Sequence, residues 1–133
     1  MRNLPRLTFL ILGDLLIVLG TTLAGFANHG ELQPAAFDRM AATFIPFAAA
    51  WFLTAPWLGC FDQSATATSI QLCRPVLAAL LAAPLGAVLR GLWLDAPVLP
   101  VFAVVMGAVL GAAMFVWRLL AAAFLRRRLP TAG

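Results

Sequence analysis

The sequence predicts an all-α fold: an integral membrane bundle of four transmembrane helices forming a single domain over residues 1–133, with both termini cytoplasmic. Three observations carry this. The chain is 63% hydrophobic and only 11% charged, with a mean hydropathy of +0.98. That is more apolar surface than one soluble core of this length can hide, so lipid must be part of its solvent. Four stretches approach the ~20 apolar residues that a helix needs to cross a ~30 Å hydrocarbon layer. The basic residues are distributed unevenly between the ends of those stretches.

The first segment, about residues 7–26, follows Arg2 and Arg6. A basic start, an apolar stretch and small residues near Gly25 are also the parts of a signal peptide, but Asp14 interrupts the apolar stretch and favours a retained helix. The second, residues 41–61, contains no charge and is the clearest span, with kinks expected at Pro46 and Pro56. The third, residues 75–94, begins with Pro75 at the first helical position and kinks at Pro84. The fourth, residues 98–117, can continue past the membrane to Arg128.

The connections are too short to fold alone. The second, rich in Ser64, Thr66, Thr68 and Ser69, reads as the mobile one. Cys60 and Cys73 flank it and read as small apolar residues kept reduced on the cytoplasmic side; two Cys and one His lack the spacing of a zinc site.

All nine basic residues are Arg. They lie at helix ends rather than on one basic face, which argues against nucleic acid as a partner. With both termini inside, Arg2, Arg6, Arg74, Arg118 and Arg126 to Arg128 fall at the inner face, against Arg39 and Arg90 toward the outside. This bias places the protein in the inner (cytoplasmic) membrane as a multi-pass protein. Trp57 and Trp117 then mark the inner interface and Trp93 the outer one.

Asp14, Arg90 and Arg118 lie within or at the margin of apolar segments, where an ionised group is costly and turns toward a partner or a water-filled cavity. Helical spacing puts Asp14 on the face of Val18, Thr21 and Gly25, Arg90 on that of Ala79, Ala83 and Gly86, and Arg118 on that of Gly107 and Gly111. Small residues allow close helix approach, so Gly86, Gly107 and Gly111 are candidate packing positions, the last two as a GxxxG pair. Depth along the helices favours an ion pair of Asp14 with Arg118, and leaves Arg90 to meet Asp95, Glu31 or His29 at the outer face. Such pairs either lock a bundle or mark a pathway.

His29 is the one histidine and the one candidate axial ligand; with the Phe44, Phe47 and Trp51 stripe it forms a candidate ligand-binding set, although core packing accounts for the stripe as well. Nothing in the sequence has the spacing of a catalytic triad, a carboxylate pair, a phosphate-binding loop or a metal site.

Taken in order, Gly13-Asp14, the stretch from Gly25 to His29, Pro46-Phe47 with Trp51, Leu89-Arg90-Gly91 and Trp117-Arg118 form a pattern that resembles DUF3054, a family of small four-helix membrane proteins of unknown function. The resemblance covers nearly the whole chain. It implies a four-helix membrane bundle and no established activity. Phe26 stands where the family pattern carries an Arg.

These observations lead to the expectation of a non-enzymatic membrane protein, with no cofactor required by the sequence and the identity of any cofactor left open. Its partners would be the lipid bilayer and either other membrane subunits or further copies of itself, acting as an accessory or structural subunit. Two alternatives stand beside it: a small oligomeric transporter or channel for protons or an anion lined by Asp14, Arg90 and Arg118, or the binding of a pigment, quinone or lipid.

Overall fold

The computed structural model describes residues 4–62 and 69–128. Its elements are α1 (Leu4–Asn28), a 3-10 turn at Pro34–Ala36, α2 (Phe37–Thr54), α3 (Ser69–Leu94) and α4 (Pro100–Arg128). By length and composition α1, α3 from Gln71 and α4 can cross a membrane. The fourth helix, α2, has 18 residues and carries Asp38 and Arg39 in its first turn. The stretch read as the clearest span is therefore the shortest helix, and it is the one that buries the bulkiest side chains, Trp51 and Phe47.

Two boundaries differ from the sequence reading. Segment two starts earlier and ends at Thr54 rather than residue 61, because Pro56 offers no N–H to the helix and Gly59 turns the chain left-handed (φ +70). Pro56 ends the helix rather than kinking it. The third helix starts before Pro75, which lies in its interior together with Pro84. Arg2, Ser64, Thr66 and Thr68 lie outside the described residues, and Ser69 opens α3.

Three left-handed residues close the turns. Gly30, Gly59 and Asp95 have positive φ, and in each case the following N–H returns to a carbonyl five residues back: Glu31 to Phe26, Cys60 to Ala55 and Ala96 to Gly91. Asp tolerates this conformation better than most side chains.

Helix α3 packs most extensively, against α4 and α2, while α1 touches α2 and α4 but not α3. The α3–α4 seam is made of small residues. A Cβ at Gly107 would stand 3.3 Å from the Ala83 Cβ, and one at Gly111 3.6 Å from Val76 Cγ1. Gly86 admits the Phe47 ring in the same way on the α2 side. All three glycines thus act at contacts inside the bundle. The outward faces of α1, α3 and α4 are rows of exposed Leu and Val, among them Leu12, Leu16, Leu81, Val101 and Val104.

Candidate functional site

Asp14 is fully buried on α1 and gathers three donors. Arg118 Nη2 donates to its Oδ2 at 2.7 Å, Trp51 Nε1 to the same oxygen at 3.1 Å, and Trp117 Nε1 to Oδ1 at 2.9 Å. Arg118 is buried as well; its Nη1 donates to the Cys60 carbonyl at 2.7 Å and its guanidinium lies 5.2 Å from the centre of the Phe61 ring. The ion pair expected from helix depth is present, and a carboxylate with three charge-assisted or indole donors is well satisfied. Gly13 makes it possible. A Cβ there would overlap the Trp117 indole, so the glycine beside Asp14 is what lets Trp117 reach the carboxylate.

The sequence reading missed both indoles. Trp117, expected at the inner interface, is half-buried and donates its N–H to the buried Asp14 carboxylate. The available signal was the rule that a buried Trp N–H needs a partner, with Asp14 the only intramembrane acceptor of charge.

Arg90 behaves differently. It does not meet Asp95, Glu31 or His29: its Nε donates to Thr43 Oγ1 at 2.9 Å, and its guanidinium lies 4.9 Å from the centre of the Phe102 ring. The expected carboxylates are otherwise engaged or turned away. Glu31 pairs with Arg39 at 3.3 Å, and Asp95 occupies the left-handed cap of α3 with its side chain exposed. Thr43 in turn donates to the Arg39 carbonyl at 2.9 Å. Among the described residues no carboxylate pairs with Arg90, and its two terminal nitrogens have no protein acceptor.

Arg90 lines a cleft of about 410 Å³ between the C-terminal end of α1 and the N-terminal end of α4. Its charged and imidazole lining comes from Arg90, Arg39, Glu31 and His29, with Thr21, Thr22, Asn28 and Thr43 also on its wall, and its apolar side includes Phe102, Val105, Met106 and Val109. The volume is within the ~300–1,000 Å³ range of small-molecule sites, as is the combination of an apolar wall with a few polar groups.

Between the Asp14 cluster and this cleft lies an apolar layer. One turn from Asp14 on α1 is Val18; one turn from Trp51 on α2 is Phe47; between Arg118 and Phe102 on α4 are Met114 and Leu110. All four side chains are essentially inaccessible. The three charges singled out in the sequence therefore belong to two separate places: Asp14 with Arg118 in a sealed cluster, Arg90 in an open cleft. Of the proposed aromatic ligand set, Phe47 and Trp51 are core residues with no surface to offer, Phe44 is half-buried, and only His29, exposed, borders the cleft. Among the described residues no group of His, Cys, Asp and Glu is arranged to hold a metal ion.

Four helices, three of them long and apolar enough to cross a membrane, with a buried Asp14–Arg118 ion pair and a cleft beside Arg90, which pairs with no carboxylate among the described residues, define a class of small helical bundles. Within that class the chain belongs to the family described as "Protein of unknown function (DUF3054)", whose model matches residues 11–121. The matched region contains Asp14, Arg90 and Arg118 together. No curated protein and no solved structure matches the chain.

Proposed function

We propose that the protein is a non-enzymatic, four-span protein of the inner membrane with both termini cytoplasmic, and that its working site is the Arg90 cleft, which takes up a ligand bearing an anionic group. One observation carries the reading: an arginine lining a ligand-sized cleft with no carboxylate paired to it among the described residues. Holding a cation at membrane depth is costly unless something compensates it, and planar N–H donors suit carboxylate or phosphate oxygens. Arg39, whose charge is shared with Glu31, adds to the positive field at the mouth.

The other expectations are less well supported. The GxxxG pair that suggested a partner subunit is filled by α3 of the same chain. A route for ions through one chain would have to cross the Val18, Phe47 and Leu110 layer. A cleft closed at its base is a binding site.

The test is thermal stabilisation of the purified protein, in zwitterionic nanodiscs, by the carboxylate probe octanoate. A ligand that binds the folded state raises the melting temperature by mass action. Wild type should be stabilised in a concentration-dependent way and Arg90→Gln should not. Equal stabilisation of both proteins would refute the reading.

A further inference from the structure

The shape of the cleft narrows the class of ligand. The first half of helix α1 is held to α4 by specific side chains. There Phe9 stacks near Trp117 and Phe124, with ring centres 5.3 and 5.5 Å apart, Gly13 receives the Trp117 indole, and Asp14 meets Arg118. Toward the C-terminal end of α1 the cleft lies between the two helices. Gly25 borders the cleft, and a Cβ built on it meets nothing within 4 Å.

The gap leaves the cleft open along its flank as well as at its mouth. Val105 and Val109 both line it, yet they are 52% and 45% exposed, so the apolar wall merges with the lipid-facing surface of α4. The charged groups are at one end, and the Thr21 and Thr22 hydroxyls that also line the cleft are turned back to the Val18 carbonyl. Arg90 lies at the level of Phe102, while Val105, Met106 and Val109 follow over the next two turns of α4, about 10 Å toward the middle of the bundle. A small hydrated anion would satisfy Arg90 and leave this wall bare. Apolar surface of that kind favours an apolar occupant over water.

We infer that the ligand is a single-chain anionic amphiphile, its carboxylate or phosphate on Arg90 and its hydrocarbon chain along Phe102, Val105 and Val109, entering sideways from the bilayer through the gap between α1 and α4. The inference rests on the reading of the cleft as an anion site and adds the tail. The orientation is that of a lipid in the same leaflet, head near the interface and chain inward, so lateral entry requires no inversion of the molecule.

The experiment compares acetate with laurate on the full chain in zwitterionic nanodiscs, by the same thermal shift and by native mass spectrometry, for wild type, Arg90→Gln and Gly25→Leu. Gly25→Leu is chosen because the space beside Gly25 is empty and leucine favours a helix, so the variant should fold while its side chain fills the gap. Laurate should bind wild type at least about tenfold more tightly than acetate, since each buried methylene contributes ~0.8 kcal/mol. Gly25→Leu should lose this advantage and keep its acetate response. Equal affinity of laurate and acetate, or an unchanged laurate affinity in Gly25→Leu, would overturn the amphiphile while leaving the anion site standing. Arg90→Gln binding both probes like wild type would remove the anion site itself. Adding phosphatidylglycerol to the nanodiscs separates the two sources of the headgroup: retention of laurate supports a single-chain acid, and its displacement would overturn the single chain in favour of a two-chain membrane phospholipid.

Discussion

The indole of Trp117 lies where the side chain of residue 13 would be, and because residue 13 is glycine, the Trp117 N–H reaches Asp14 at 2.9 Å. Gly13→Ala should therefore displace the ring and cost about 1–3 kcal/mol of stability, the range for overpacking a filled interior. Denaturant titration in detergent measures it. A change within a few tenths would show that the ring has another place to go.

The Asp14 to Arg118 pair should behave as a unit. Asp14→Ala and Arg118→Ala should each cost about 3–5 kcal/mol, since each leaves a buried charge without its partner. The double variant should cost clearly less than the sum, and a double-mutant cycle reads the difference. Strict additivity would mean the pair does not form.

Two other glycines should respond in opposite directions. A Cβ at Gly86 would come within 2.8 Å of the Phe47 ring, whereas one at Gly20 meets nothing within 4 Å. Gly86→Ala should lower the melting temperature. Gly20→Ala should raise stability by about 0.5–1 kcal/mol, the difference in helix propensity alone.

Thr43 links Arg90 to the α2 backbone by accepting from one and donating to the other. Thr43→Val removes both bonds with little change of volume and should cost about 1–2 kcal/mol. It should also weaken octanoate binding several-fold by releasing the guanidinium from its fixed position, while Thr8→Val, at an exposed hydroxyl on α1, should leave binding unchanged.

The two thiols test the topology. Cys73 is exposed and Cys60 is buried beside the Arg118 cluster. A membrane-impermeant maleimide should label Cys73 in inverted vesicles but not in intact spheroplasts, and Cys60 only after denaturation. Labelling of Cys73 in spheroplasts would reverse the orientation inferred from the arginines.

The parts of this structure that were legible in the sequence are those set by periodicity and depth. Counting residues along the helices puts Asp14 nearer in depth to Arg118 than to Arg90, and the Gly107 to Gly111 face is recognisable by its small side chains. What was not legible depended on the third dimension. The length of α2 turned on how the chain leaves Thr54 at Pro56, which a hydropathy window cannot distinguish from a kink. The partner of Arg90 turned on Asp95 being used as a helix cap and Glu31 being drawn to Arg39. The indole donors to Asp14 come from helices distant in sequence, and only the packing brings them together.

The spacing of the two charge sites along α1 keeps them mechanically apart. Gly25, at the cleft, stands eleven residues from Asp14, about 16 Å along the helix axis. Over that span Val18, Thr21 and Thr22 are buried, so whatever fills the cleft meets the packed middle of α1 before it can reach the bonds around Asp14.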